Sequence, residues 1–337
     1  MRTAIIFAVL AVLASPLARA DKETHVIRIA TVAPEGSGWA REFVSMARAV
    51  EKRTQGSVKL KIYFGARAGN EFQIKERIEK GQLDGSVSGG MMCGEVMHSM
   101  KVLRVPGVFQ DRGETTHVAS ELMPRFAKEA EANGYTLLAM APLGASTIFS
   151  RVPIKTMEDL RKVKTWRWNL DEVAITLNKA MGFDIVPMDL GEAGPAFEKG
   201  TIDALYAIPS AALVFQWYAQ APYIINLPGD YLIGCLVVRT NVLDQLTESE
   251  REIVRSESAA IAVRINDLNS RQDEQLMGAN GVFGHQGNKL LPVSEKLRAE
   301  FFEAARNARD KLDERLVSKK LLNEVLTMLA DYRGEHH

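Results

Sequence analysis

The stretch EKGQLDG at residues 79–85 returns as EKGTIDA at residues 198–204. In each copy a helical pattern ends at the glycine, and an apolar residue followed by aspartate begins a segment typical of a buried strand. A seven-residue match by itself is compatible with coincidence. The same order of predicted elements surrounds both copies, and we therefore predict two similar α/β lobes.

The predicted elements alternate between strand and helix around each copy. Around the first copy, apolar periodicity predicts strands at 25–33 and 58–64 and helices at 37–54 and 71–81. Around the second copy it predicts strands at 163–168, 183–188 and 201–208 and helices at 171–182 and 192–200.

A crevice between two such lobes is the expected place for a ligand, because ligands of open α/β sheets bind outside the carboxyl ends of the strands. Five segments follow predicted strands and are candidates for its walls: PEGSGW (34–39), GGMMCGE (89–95), WRWN (166–169), MDLGE (188–192) and YAIPS (206–210).

The remainder of the chain is predicted to be mostly helical. Thr247 and Glu250 form a capping box that begins a long, proline-free helix, which runs to about Gly278. Two further amphipathic helices are predicted at 294–316 and 319–333.

The first 20 residues, MRTAIIFAVLAVLASPLARA, have the three-part layout of a secretory signal peptide. An early arginine precedes an apolar stretch, and Ala18-Arg19-Ala20 fits a cleavage site. We expect cleavage after Ala20 and a periplasmic mature chain. A buried N-terminal helix is the alternative.

Composition and charge exclude several classes of function. The chain of 337 residues has 42 basic and 42 acidic residues, so a nucleic-acid partner is not expected. Common signatures of hydrolases, nucleotide-binding loops and zinc proteases are absent from the sequence. The six histidines show no metal-ligand spacing, and we expect neither a metal nor a cofactor.

Two cysteines, Cys93 and Cys235, leave two interpretations open. An oxidising compartment permits a disulfide between them, whereas free cysteines are among the most commonly buried residues. Sequence gives no distance between them, and disulfide geometry is restrictive.

The stretch KTWRWN (164–169) places Arg167 between two tryptophans on a predicted strand. Side chains alternate between the faces of a strand, so Trp166 and Trp168 point away from Arg167, and we interpret Trp166 as core packing. A guanidinium matches a carboxylate bidentately and stays charged at any relevant pH. Arg167 therefore either binds an anionic ligand in the crevice or pairs with a protein carboxylate; its place near the end of the strand favours the ligand.

Five motifs in this order resemble the solute-binding subunits of tripartite ATP-independent periplasmic (TRAP) transporters, of the C4-dicarboxylate-binding (DctP) type. They are the signal peptide, GNEFQIKERIEKGQLDG (69–85), SRVPIKTMEDLRKVKTWRW (150–168), MGFDIVPM (181–188) and EKGTID (198–203). The resemblance covers nearly all of the mature chain.

The resemblance implies a two-lobed, Venus-flytrap α/β fold with a hinge and a long helix across both lobes. It implies a first lobe of residues 21–147 plus about 235–262, and a second lobe of 148–234 plus about 263–337 with the C-terminal helices. The closed form would dock on a membrane permease.

The resemblance also suggests ligand-binding residues. The family's main carboxylate-binding arginine matches Arg167, and a second arginine matches Arg151. The family's polar cleft segment matches Asn70 and Glu71.

Departures from the family pattern favour a ligand with an apolar body. Gly89-Gly90-Met91-Met92 stands where sugar-acid binders carry charged residues, and Ala204-Leu205-Tyr206-Ala207 stands where many members have a polar residue. Buried polar ligand atoms without partners cost free energy, so sugar acids become poor candidates. Met91 and Met92 can adapt to an apolar shape. The aromatic candidates for the wall are Trp168, Tyr206, Phe215, Trp217 and Tyr218, with lobe core as the alternative, favoured for Phe215.

The sequence therefore predicts a periplasmic receptor, not an enzyme, that captures an organic acid with an apolar or aromatic body and delivers it to a TRAP permease, as a monomer or weak dimer. A sensor that reports to a membrane kinase is the alternative, and an exported enzyme is a third hypothesis.

Overall fold

The computed structural model describes residues 24–278 and 281–336. The predicted signal peptide lies outside the described residues. The strands are β1 (His25–Thr31), β2 (Val58–Phe64), β3 (Gly85–Ser88), β4 (Tyr135–Ala145), β5 (Thr147–Ser150), β6 (Lys164–Trp168), β7 (Asp184–Met188), β8 (Ala204–Ala207), β9 (Tyr223–Ile225), β10 (Tyr231–Arg239) and β11 (Lys289–Leu291).

The α-helices range from one turn to 30 residues. They are α1 (Gly38–Arg53), α2 (Glu71–Glu79), α3 (Met91–Val96), α4 (Arg112–Ala132), α5 (Met157–Lys162), α6 (Glu172–Ala180), α7 (Leu190–Glu198), α8 (Pro209–Val214), α9 (Thr240–Leu243), α10 (Glu248–Met277), α11 (Val282–His285), α12 (Glu295–Arg309) and α13 (Lys319–His336). Three 3₁₀ helices join them, at Gly65–Ala68, His98–Arg104 and Trp217–Gln220.

Two mixed sheets form the centres of two lobes. The first sheet has the order β2-β1-β3-β10-β4, in which β10 is antiparallel to both of its neighbours. The second has the order β11-β9-β5-β8-β6-β7, in which β5 is antiparallel to β8 and β9. The predicted two-lobed α/β fold is therefore confirmed.

The chain crosses between the sheets at three places. Ser146 alone separates β4 from β5, and residues 226–230 lead from β9 back to β10. Helix α10 makes the third crossing, since it packs on α1 and β4 of the first lobe and on α8 and α11 of the second. The predicted lobe boundaries at 147/148 and about 234/235 stay a prediction, although β10 already joins the first sheet at Tyr231.

The repeated EKG words have the same structure in both lobes. Helices α2 and α7 end at Glu79 and Glu198, and the glycine two residues later has a positive φ of 69° or 72°, which suits glycine. The following aspartates also match: Asp84 accepts the backbone N–H of Arg28 at 2.7 Å, and Asp203 accepts that of Lys164 at 3.0 Å. Asp84 thus ties its loop to β1 of the first sheet, and Asp203 ties its loop to β6 of the second sheet.

The structure differs from the sequence prediction outside the two repeats. The regions predicted to be mostly helical contain β4, β5, β9, β10 and β11. Strand β10 is buried along almost its whole length, so its sequence YLIGCLVVR is a nearly continuous apolar run without alternation. Helix α12 ends at Arg309, short of the predicted 316, and Leu312 then turns back into the core.

No helix among the described residues combines the length and the apolar character needed to cross a bilayer.

Candidate functional site

A cavity lies between the two lobes, and all five predicted wall segments contribute to it. The cavity has a volume of about 160 Å³. Its wall includes Trp39, Gly89, Trp168, Leu190 and Tyr206, one from each predicted segment.

The first lobe and helix α10 supply an apolar side of the cavity. Phe43 of α1 lies there with Ala141 of β4 and Leu236 of β10, and α10 adds Ile261 and Ile265. These side chains offer no polar group, so this side of the cavity suits a hydrocarbon surface.

Arg167 lies at the opposite, polar end of the cavity. It is 3 % exposed and projects from β6. Its Nε donates to Asn178 at 2.8 Å, its Nη1 donates to Asp230 at 3.0 Å, and its guanidinium lies 4.0 Å from the ring centre of Tyr206. The pairing of Arg167 with a protein carboxylate is thus confirmed. Arg167 also lines the cavity, and its binding of an anionic ligand stays a prediction.

Arg104 completes a buried cluster of charges that joins the lobes. Its Nη1 donates to the carbonyl of Tyr231 at 2.5 Å. Its Nη2 bonds Asp171, the N-cap of α6, and lies 2.5 Å from Asp230. Two arginines therefore face two aspartates, and the cluster as a whole is neutral.

The pKa directions follow from this arrangement. Burial would raise the pKa of Asp230, but Arg167 and Arg104 outweigh burial and hold that pKa below its usual value. Burial would likewise lower the pKa of Arg104, but Asp171 and Asp230 raise it. Burial also raises the pKa of Tyr206. Asp230 and Arg104 are thus both charged near neutral pH.

Three buried side-chain nitrogens at the cavity wall have no hydrogen-bond partner within the described part of the chain. They are Nη2 of Arg167, Nε of Arg104 and Nε1 of Trp168. A buried donor without an acceptor costs about 1–3 kcal/mol. The free donors therefore favour a ligand that brings acceptor oxygens.

Most of the aromatic residues proposed for the wall do line the cavity. Trp168, Tyr206, Phe215 and Trp217 all contribute to it, as does Met91. The hydroxyl of Tyr206 donates to the carbonyl of Leu227 at 3.1 Å, which leaves the ring as its contribution.

Other aromatic predictions differ from the structure. Tyr218 packs on Phe283, with ring centres 5.3 Å apart, in the core of the second lobe. Trp166 belongs to that core, as predicted, but it also reaches the cavity wall, where its ring meets Trp217 at 5.2 Å.

The predicted assistance by Arg151 does not fit the geometry. Arg151 is exposed, and its Nη1 donates to the carbonyl of Phe197 at the end of α7. Its guanidinium also lies over the Phe197 ring. Arg151 therefore caps a helix terminus outside the cavity, and Arg104 is the second arginine at the cavity wall.

Asn70, Glu71 and Met92 also lie outside the cavity wall. Asn70 caps α2, and its Nδ2 donates to Asp189 of the other lobe at 3.1 Å. Glu71 is fully buried and accepts from Ser88 Oγ at 2.5 Å and from the Met92 N–H at 2.8 Å, while its other oxygen accepts the Gly89 N–H. Its oxygens are therefore occupied.

Glu71 and Met92 support the cavity wall from behind. Burial raises the pKa of Glu71, although hydrogen bonds from Ser88, Met92 and Gly89 partly offset this effect. Met92 is completely buried in the first lobe's core. The two residues thus hold the loop that carries Met91, and neither of them lines the cavity.

Sequence reasoning missed Arg104, Asp171 and Asp230. No local motif marks them, and their contacts join residues 63 to 127 positions apart. Asp171 alone was detectable, as a helix cap, since it is the first residue of the predicted helix at 171–182 and accepts the N–H of Ala174.

The two cysteines form a disulfide, with Cα atoms 6.0 Å apart. Cys93 lies in α3 and Cys235 in β10, where it lines the cavity. The bond therefore ties the Met91 segment to the adjacent strand. Among the described residues, no group of three or more His, Cys, Asp or Glu side chains is placed to hold a metal ion.

Several solved structures share this fold. A TRAP periplasmic solute-binding protein from Ralstonia eutropha H16, solved with bound (S)-2-acetolactate, superposes with a TM-score of 0.83 at 18% identity. The match covers 91% of this chain and 99% of that chain. A TRAP solute-binding protein from Desulfovibrio salexigens, with bound orotic acid, gives a TM-score of 0.81 at 18% identity over 91% and 99%.

Curated relatives are more distant than 30% identity. A solute-binding protein from Verminephrobacter eiseniae is 24% identical over 292 residues, which cover 85% of this chain and 83% of the relative. A solute-binding protein from Chromohalobacter salexigens is 24% identical over 219 residues, and the alignment spans only 63% of the length of each chain.

The match to a family model also spans most of the chain. Residues 29–315 match the profile of DctP, described as bacterial extracellular solute-binding protein, family 7. This span includes both sheets, the charge cluster and the disulfide. The chain therefore belongs to the DctP family of bacterial extracellular solute-binding proteins.

Proposed function

We propose that this protein captures an organic acid with an apolar body between its two lobes and delivers it to a TRAP-type permease, without changing it chemically. Arg167 and Arg104 hold the carboxylate, and the apolar side of the cavity holds the body. The observation that carries the proposal is the free Nη2 of Arg167, which is buried in the wall of an otherwise largely apolar cavity.

The arrangement of the arginine explains how one anion can be bound. Asp230, Asn178 and Tyr206 fix the guanidinium in place, so little side-chain entropy is lost when a carboxylate meets its remaining N–H groups. The apolar surroundings keep water away and strengthen the attraction between guanidinium and carboxylate.

Solved relatives of the same fold support an acid as the ligand. Structures contain bound (S)-2-acetolactate, L-gulonate and pyroglutamic acid in proteins from Ralstonia eutropha, Haemophilus influenzae and Bordetella pertussis. Each of these molecules carries a carboxyl group. The apolar side described above favours a less hydroxylated body in this protein than gulonate.

Delivery to a permease agrees with the family and with the predicted export to the periplasm. In this proposal the signal peptide is removed after Ala20, the lobes close on the acid, and the closed form docks on the membrane subunits as a monomer or weak dimer. A receptor that reports to a membrane kinase has the same fold. Uptake of the labelled acid into cells, lost on deletion of this gene together with the permease genes, supports transport; unchanged uptake supports the sensor.

The binding site is tested with Arg167→Lys. Lysine keeps a cation beside Asp230 but lacks the second N–H edge, and we expect roughly 100-fold weaker binding of the acid. Arg151→Lys is the matched control, because Arg151 lies outside the cavity; its affinity should equal that of the wild type. Native mass spectrometry of protein purified from the periplasm first identifies a co-purified acid and its mass.

Thermal stabilisation by a panel of monocarboxylates then gives the affinities. An equal loss of affinity in Arg167→Lys and Arg151→Lys, or no loss of affinity in Arg167→Lys, would contradict the assignment of Arg167 as a ligand-binding residue. Consumption of the acid over hours with purified protein would instead identify an enzyme.

A further inference from the structure

Trp168 differs from Trp39 and Trp166 at the cavity wall in the hydrogen bonding of its indole N–H. Trp39 donates its N–H to Asn269 at 2.8 Å, and Trp166 donates to the carbonyl of Met188 at 3.1 Å. Trp168 is 9 % exposed and also lines the cavity, yet its Nε1 atom is buried and has no acceptor within the described part of the chain. An indole nitrogen can only donate, so an acceptor from outside the protein is required to satisfy it.

The N–H of Trp168 is placed apart from the carboxylate site. Arg167 and Trp168 are consecutive residues at the end of β6, and consecutive side chains of a strand point to opposite faces. Arg167 turns toward Asn178 and Asp230, whereas the six-membered ring of Trp168 faces Gly89 of the other lobe. The two donors therefore approach the cavity from different faces of β6, and the hypothesis assigns to each a separate acceptor atom of the ligand.

The neighbouring polar groups favour a carbonyl over a hydroxyl as that second acceptor. Ser88 Oγ at the cavity wall already donates to Glu71 and accepts from the N–H of Gly90. Asp171 already accepts from Ala174 and Arg104. The free nitrogens of Arg104, Arg167 and Trp168 can only donate, and a carbonyl brings an acceptor alone. Among the described residues, the hydroxyl of Ser146 is the other unpaired polar group at the wall, and it is the one that could accept from a ligand hydroxyl.

We infer that Trp168 is a specificity-determining residue that donates a hydrogen bond to a carbonyl oxygen on the body of the ligand. The ligand class is then an oxo acid: one carboxylate, one separate carbonyl and an otherwise apolar skeleton. This inference rests on the proposed function, because the carboxylate site sets where the body of the acid lies.

The test uses pairs of acids that differ only by one carbonyl. We suggest 4-methyl-2-oxopentanoate with 4-methylpentanoate, and 4-oxo-4-phenylbutanoate with 4-phenylbutanoate, measured by calorimetry. Wild-type protein should bind at least one oxo acid about tenfold more tightly than its parent. Trp168→Phe removes the donor and keeps an aromatic ring, so the ratio of the affinities for the oxo acid and its parent should fall to about one.

Trp166→Phe is the matched control, because its N–H is bonded inside the protein; the preference for the oxo acid should persist. In ¹H–¹⁵N spectra, the indole resonance that disappears in Trp168→Phe should shift on addition of the oxo acid and not of its parent. A ratio near one in the wild type for both pairs, or an unchanged ratio in Trp168→Phe, overturns the inference. If acids bind without this preference, the proposed function survives; if no acid of any kind binds, both fail.

Discussion

The polar end and the apolar side of the cavity differ in the kind of side chains that form them. At the polar end, four buried charges neutralise one another, while Nη2 of Arg167 and Nε of Arg104 have no hydrogen-bond partner among the described residues. At the apolar side, side chains such as Phe43, Ala141 and Ile261 line the cavity and carry no polar group. The polar end therefore fixes orientation and holds the lobes together, and the apolar side decides the size and shape of what is bound.

The largest effect is expected at Asp230, on which the polar end depends. Asp230→Ala leaves two buried arginines with one carboxylate between them, and removing one partner of a buried ion pair costs about 3–5 kcal/mol. Urea denaturation should show this loss of unfolding free energy. Asp184→Ala, an exposed site in β7, should stay within about 0.5 kcal/mol of the wild type. A loss below about 1 kcal/mol at Asp230 would mean that the cluster contributes no net stability.

A smaller effect with a defined sign is expected in acid. The pKa of Asp230 is lower in the folded protein than in the unfolded chain, so its stabilisation is complete above the unfolded value of about 4 and is lost as pH falls through the folded value. Asp230→Asn lacks this titration. The difference in unfolding free energy between the wild type and Asp230→Asn should therefore shrink below about pH 4. A constant difference between pH 7 and pH 3 would contradict the assigned direction.

The smallest effect is expected at the apolar side and should concern selectivity. Ala141→Leu adds bulk to the cavity wall, and overpacking costs about 1–3 kcal/mol. The best acid of the panel should bind about tenfold more weakly, while a homologue shorter by two carbons should change less than about threefold. Ala259→Leu, exposed on α10, serves as control. Equal losses for the long and the short acid would show that Ala141 does not limit the length of the body.

The sequence was informative wherever the pattern is local. The EKG repeats, the capping box at Thr247 and the strand KTWRW predicted both lobes, the long helix and the position of Arg167 at the cavity. Strand β10 was missed because a strand buried within a sheet loses the alternation that identifies a strand in sequence.

The charge partners were less predictable, for a physical reason. Asp230 immediately precedes β10, and it contacts Arg104 and Arg167, which are distant from it in sequence. An ion pair of this kind produces no periodic pattern in a sequence. The same limit applied to Arg151, whose neighbour Phe197 lies 46 positions away. Whether Cys93 and Cys235 are bonded also depended on their distance in the folded chain.

The three crossings between the sheets make each lobe discontinuous in sequence. Cutting the gene at one point therefore cannot yield an independently folding half. A chimaera that carries the cavity wall of a relative must therefore exchange several segments at once. These are the segments on both sides of Ser146, those on both sides of the 226–230 link, and the matching part of α10. Circular permutation of these segments would provide a direct way to learn which junction sets the hinge.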